Sequence, residues 1–291
     1  MFPIIGILIV IGAIIGGYLM EHGHLLVLFQ PAELVVIGGS AFGTIFIANP
    51  LPVIKAIFKD VFSIFKSNPY TSTFYLQNCI MLNEVFQHAR KNGLLQLESD
   101  VEDPSKSPLF SKYKWFVADR HTTAFVCDTL RMCITGGVSP HDVDQMMEID
   151  IEVQQHERVT PVQALTTVAD ALPGLGIVAA VLGIIVTMGA LGGPPEEIGH
   201  KVAAALVGTF LGVLLCYGFL GPMVTNLSKR AEAHTQYLYF LRVALISFIK
   251  GTAPMVAIEY ARRAIPAEVR PSFSQMEKAC KGGSGTQAAA A

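Results

Sequence analysis

The sequence predicts an all-α membrane protein with four transmembrane helices and a large helical cytoplasmic domain between the second and the third. Three observations carry that expectation. Of the 291 residues, 52% are hydrophobic and only 15% charged, where soluble domains average roughly 25% charged. Mean hydropathy is +0.48. The charges are also segregated: residues 1–52 carry only Glu21 and Glu33, and residues 171–226 only Glu196, Glu197 and Lys201. Such a chain has ample apolar surface to bury, which excludes disorder. Its net charge of −2 offers no basic excess to a nucleic acid.

Each apolar block holds two spans. Residues 3–20 form an uncharged run near the lower length limit for a hydrocarbon layer of roughly 30 Å. The run has no basic leader and no small-x-small cleavage site, and a second span follows closely, so it reads as a retained helix and not a cleaved signal. The second span is expected at 34–52, the third at 171–191 and the fourth at 201–226, with the turn-forming GGPPEEIGH between the last two. Lys and Arg set the orientation. Segment 53–170 holds 11 of the 21 and segment 227–291 holds 9. Both segments, and both termini, are therefore expected in the cytoplasm. The domain boundaries follow as 1–52, 53–170, 171–226 and 227–291.

The polar segments read as helical. Residues 70–92 place Phe74, Gln77, Met81, Val85 and His88 near one face, with Asn92-Gly93 as the stop and Arg90 and Lys91 suiting the negative helix end. ESDVEDPSKSP reads as a turn-rich link, and a second helix is expected from about 109 to 135. Ser139-Pro140-His141-Asp142 has the residues of a helix start. The helix it opens is expected to break or kink at Pro161. After the fourth span a helix is expected to continue through 227–250 and end at Gly251, and the final GGSGTQAAAA reads as low-complexity and disordered.

The chemistry is notable for what the spans lack. No Walker A loop, dinucleotide fingerprint or HExxH occurs, and no constellation for an enzyme. His22-x-His24 is read as a hydrated turn, two ligands being too few for a metal. The five cysteines form no CxxC pair and read as reduced thiols. A self-contained proton relay would need acids inside the membrane, yet Glu33 and Asp170 fall at span edges. Small residues do recur at Gly176-xxx-Ala180, Ala179-xxx-Gly183 and Ala204-xxx-Gly208-xxx-Gly212. They suit either helix packing within one subunit or contact with another chain, with Thr209 lining a polar path. Pro173 and Pro222 are either tolerated kinks or hinges. If ions move here, the titrating group is expected on another chain.

The runs GGYLMEHG…LFQPAELVVIGG, ADALPGLGIVAAVLGIIVTMGALGG and ALVGTFLGVLLCYGFLGP resemble the MotA family of flagellar stator subunits, in the family's order and over nearly the whole chain, up to about residue 273. The resemblance implies a multi-pass protein of the bacterial inner membrane, surrounded by lipid. It implies a homo-oligomeric ring, expected to be a pentamer, around a dimer of a MotB-like single-span partner that supplies the ion-binding aspartate. Ion flow would then drive torque on the rotor switch protein FliG, in motility and chemotaxis. HARKNGLLQLE matches the rotor-facing stretch and makes Arg90 and Glu98 the interface candidates; from the residues alone they are a helix-end cation and a solvated acid. LPGLG and FLGP make Pro173 and Pro222 the prolines of ion-driven conformational change, and VGTFLG puts Thr209 beside the partner's aspartate. Sodium-driven relatives tend to carry a threonine where this chain has Ala180, so protons are the expected coupling ion and sodium the less expected one. No other cofactor is implied. Asp150 stands where relatives often have glutamate, and its role stays open.

Other readings are an ExbB/TolQ-type energiser of the same superfamily, a stand-alone ion channel, and a structural membrane scaffold. Four spans and the GGYLMEHG hairpin disfavour the first. The missing membrane carboxylate disfavours the second, and only the family motifs speak against the third.

Overall fold

The computed structural model describes residues 2–189 and 192–282. Helices and turns account for them, with no strand among the described residues. The GGSGTQAAAA end lies, from Gly283 on, outside the described residues, as do Ala190 and Leu191 at the close of the expected third span. Four helical stretches are long and apolar enough to cross a membrane: Phe2–Met20, Leu25–Ala48, Pro140–Met188 and Pro195–Ile249. The chain divides into two compact units. One takes residues up to Ser67 with Glu157–Arg230; the other takes Asn68–His156 with the residues from Ala231 on.

The first unit opens with α1 (Phe2–Met20), which buries none of its residues within the chain. A turn carrying His22 at φ 57° and the short α2 (Leu25–Leu28) lead to α3 (Pro31–Ala48). The second span therefore ends earlier than the expected residue 52. Asn49 is extended (φ −131°, ψ 143°), because the ring of Pro50 disfavours helical geometry in the residue before it. Pro50 is the N-cap of α4 (Leu51–Ser63), which buries Ile54 and Ile57 and leaves Lys55 and Lys59 exposed. Arg230 closes the far end of α4: its guanidinium donates to the carbonyls of Ser63 at 2.8 Å and Ile64 at 3.2 Å, and to that of Lys66, while Nε donates to Asn226. Hydrogen bonds to a charged group contribute roughly 1.5–3 kcal/mol each, and these satisfy carbonyls that a helix end leaves open.

The helix α9 (Pro140–Met188) runs unbroken through Pro161 and Pro173, so of the break or kink expected at Pro161 the break does not occur. An interior proline costs a helix about 3 kcal/mol through the lost donor and the ring's clash with the carbonyl four residues back. Burial offsets that cost. Pro161 is itself buried, and Val162, Leu165, Val168 and Leu172 line up in the apolar core of the unit. Past Met188 the turn is shorter than the sequence implies, since α10 (Pro195–Val213) already starts within GGPPEEIGH and is stapled by Glu197–Lys201 at 2.8 Å. A π-helical turn, Leu214–Leu220, joins it to α11 (Gly221–Ile249). As expected, the helix then ends beside Gly251, at φ 87°.

In the second unit, α5 (Ser72–Asn92) starts at Thr71, whose hydroxyl accepts from Phe74 N, and stops at Gly93 with φ 90°. Its buried stripe is Tyr75, Asn78, Cys79, Met81, Leu82, Val85, Phe86 and Ala89. That is wider than the expected face and centred one residue further on, leaving Gln77 and His88 only half-buried. The link after it contains α6 (Glu98–Glu102), and the expected helix from 109 to 135 is two: α7 (Lys114–Ala118) and α8 (Arg120–Thr135). Asp119 separates them by capping α8, its carboxylate accepting from the Thr122 hydroxyl at 2.8 Å and backbone N–H at 3.4 Å. A short acid that satisfies the backbone locally favours a cap over a helix interior. Ser139 caps α9 in the same way, accepting from Asp142 N at 3.2 Å, as its sequence implies.

Two short helices, α12 (Pro254–Ala264) and α13 (Phe273–Gly282), complete the unit. Tyr75, Phe86, Phe110, Phe116, Tyr237 and Phe240 are fully buried. Tyr237 donates to Asn78 Oδ1 at 2.6 Å, which gives its buried hydroxyl a partner. Hydrogen bonds from Arg262, then Arg263, hold the Glu259 carboxyl down at about 2. Arg242 joins Asp144 at 2.6 Å and Glu148 at 3.3 Å.

Candidate functional site

In the first unit, α9 and α10 meet backbone to backbone. A Cβ on Gly212 would lie 2.6 Å from the Leu172 carbonyl oxygen and 2.8 Å from Gly176 Cα, and one on Gly176 would lie 2.8 Å from the Gly208 oxygen. Only glycine tolerates such approach. The recurring small residues therefore form a contact within this chain, with Ala179, Ala180 and Ala205 buried beside it.

Into this contact reaches Glu33, from the first turn of α3. A Cβ on Gly208 would fall 2.6 Å from Glu33 Oε2 and 3.1 Å from Ala180 N; one on Gly183 would fall 3.3 Å from Oε1. Glu33 is only 8% exposed, and Oε2 has no hydrogen-bond partner among the described residues. Glu33 sits at the edge of its span, in the first turn of α3, as expected; what the sequence does not show is that its carboxyl lodges in the α9–α10 contact, against Gly183 and Gly208. Its signal in the sequence was an acid two residues after Pro31, and that signal names no opposing helix.

The other candidates of this region lie on α9, on α10 and at the start of α11. Ala180 is buried, and Thr209 is half-buried next to Gly208. Pro173 is half-buried inside α9, and Pro222 is exposed one residue after the π turn begins to close. The π turn has a local cause. Pro222 lacks an N–H for the Gly218 carbonyl and its ring crowds that carbonyl, and Gly221 N–H reaches back five residues to Cys216 O. Single π turns of this kind recur at functional sites. The proline is visible in the sequence; the π turn is not.

Arg90 and Glu98 belong to the second unit. Arg90 is exposed in the last turn of α5, and Glu98 is exposed as the first residue of α6, with a 3₁₀ turn, Leu94–Leu97, between them. Neither forms an ion pair among the described residues. Asp150, the residue left open, accepts from Gln154 at 3.0 Å along α9.

Residues 4–93 match the family described as motility protein A N-terminal, and residues 117–239 match the MotA/TolQ/ExbB proton channel family. Motility protein A of Salmonella typhimurium strain LT2 is 36% identical over 96% of this chain and 94% of its own length. The chain belongs to the motility protein A family. Chemotaxis protein LafT of Vibrio parahaemolyticus is a further relative, 35% identical over 94% of this chain and 96% of its own. The flagellar MotAB stator complex from Bacillus subtilis contains a chain of the same fold, with TM-score 0.74 at 25% identity over 91% of this chain and 96% of that one. The N-terminal match separates the motility protein A reading from an ExbB/TolQ energiser, because the proton channel match alone is common to both. Membership also sets the chain among channel subunits and apart from enzymes.

Proposed function

We propose that this chain is the ring-forming stator subunit of a bacterial flagellar motor. It would turn proton flow, through a complex with a MotB-like single-span partner, into torque on the rotor protein FliG. The observation that carries the reading is the glycine-tight α9–α10 pair, with Pro173 inside α9 and Pro222 in α11 just past the π turn that follows α10, in a chain of the motility protein A family. A backbone-close pair moves as one body, and a proline leaves a carbonyl unbonded at which such a body bends.

The topology follows from charge. Segments 53–170 and 227–291 lie in the cytoplasm, as do both termini, and the four spans cross the inner membrane. The long helices support this: 49 residues in α9 amount to about 74 Å of helix, against the roughly 20 residues a bilayer needs. Helix α1, wholly unburied in the chain, faces lipid and neighbouring copies in a homopentameric ring. Ala180 and Thr209 line the ion path, and the partner supplies the aspartate. An alanine methyl offers sodium no oxygen ligand, so protons are the coupling ion. Pro173 and Pro222 couple ion binding to helix movement.

Arg90 and Glu98 make the rotor contact, since both are exposed and unpaired in the second unit. In a stator-deleted strain given this chain and its partner, Arg90→Glu or Glu98→Lys lowers swimming several-fold. Membrane content and recovery of the partner in pull-downs stay unchanged. Loss of membrane insertion in these variants would refute a rotor-contact role, because exposed charges of this kind contribute little to folding.

A further inference from the structure

Glu33 is a buried acid that the proposed ion path does not use. Its surroundings argue that it binds a proton. The carboxyl is enclosed between two helices in an apolar block, where an ionised, unpaired carboxylate is strongly disfavoured. The cleft is shaped for it: Gly183 and Gly208 each lack the atom that would meet one of its oxygens. No cation pairs with it among the described residues. On its own helix Gln30 is turned back to the Val27 carbonyl. On α9 the buried Thr187 hydroxyl donates to the Gly183 carbonyl, and on α10 Lys201 is tied to Glu197. Thr209 stands beside Gly208. Oε2 is thus a buried polar atom with no partner among the described residues, and such groups require one.

We infer that Glu33 is a second proton-binding site, in series with the carboxylate that the partner chain supplies and on the entry side of Ala180. This rests on the stator reading above. A hydronium ion gives its proton to Oε2, forming the carboxylic acid and releasing water. That O–H then breaks as the proton passes, through water, to the partner's carboxylate, and Glu33 returns to its starting state. The neutral acid fills the glycine cleft without an unpaired charge. Its ionised form is the strained one, which favours rapid recapture of a proton. The role of Ala180 extends accordingly: its backbone N–H and the Glu33 carboxyl converge on Gly208, so a larger side chain there would disturb the acid as well as the path.

The test uses the whole complex, this chain with its MotB-like partner, in stator-deleted cells. Speed is measured on small beads at low load across a range of external pH, and torque at stall. Glu33→Gln is expected to reach the membrane and bind the partner normally, because it is a neutral isostere of the protonated acid. Its stall torque is retained, while low-load speed falls by roughly 3- to 10-fold and falls further as external pH rises. That is less than the roughly 100-fold or more of losing an acid–base group in a chemical step, since water can still carry the proton. Glu33→Asp recovers most of the speed. An unchanged speed and pH profile in Glu33→Gln would overturn the inference. So would loss of the complex in that variant, since the cleft should accept a neutral isostere. If the unmodified chain gave no motility, the stator reading would fail instead, a distinct result.

Discussion

Gly212→Ala lowers the melting temperature of the detergent-solubilised chain by several degrees and reduces its accumulation in the membrane. The reasoning sets two effects of opposite sign against each other. In an isolated helix the exchange gains about 1 kcal/mol, because alanine is the better helix former. Here the new methyl would sit 2.6 Å from the Leu172 carbonyl and 2.8 Å from Gly176 Cα. The three nearest atoms it meets are all backbone, so no side chain can swing aside to relieve them and the two helices must part. Overpacking costs typically 1–3 kcal/mol, and more where relief is blocked. The net loss is up to about 2 kcal/mol on the typical figures, and larger where relief is blocked. Gly174→Ala is the comparison, since its Cβ meets nothing within 4 Å and stability holds or rises. A Gly212→Ala chain as stable as the unmodified one would contradict the backbone contact. Lost motility in a stable Gly174→Ala would mark that face of α9 as meeting another chain.

Pro173→Ala and Pro222→Ala are expected to make the chain more stable and the motor weaker. Each restores a backbone donor and removes a ring from a helix interior, a gain of up to about 3 kcal/mol. If the prolines keep a straight and a bent helix close in energy, a bias of that size shifts the balance by roughly 100-fold toward the straight form. Torque should fall to a small fraction while the complex still assembles. Pro222→Ala carries a second signature. With a donor available to the Gly218 carbonyl, the π turn loses its cause, and the helix beyond it rotates by roughly 100° for each residue taken back into α-helical register. Undiminished torque with normal assembly would return both prolines to tolerated kinks.

The apolar helices were legible because their signal is local: an uncharged run between charged segments needs no knowledge of neighbours. The same holds for Ser139 as a cap and for Gly93 and Gly251 as stops, where a backbone angle demands a residue type. At Pro161 the local cost implies a break or a kink; no break occurs because the compensation is tertiary, from the buried stripe of Val162, Leu165 and Val168. Asp119 was passed over inside an apolar pattern that runs through both α7 and α8, though its short carboxylate was the available sign of a cap. The glycine stripe was visible as a spacing, but spacing does not say which helix fills it. That a third helix inserts Glu33 there depends on the fold of the whole unit, so periodicity along any one helix is silent about it.

The central claim is a proton-driven stator, and swimming of a stator-deleted strain supplied with this chain and its matched MotB-like partner in sodium-free buffer tests it most directly. The account predicts motility that an uncoupler abolishes. Motility that appears only when sodium is added would contradict proton coupling at Ala180. No motility in either buffer, with both proteins present in the membrane, would contradict the stator function itself.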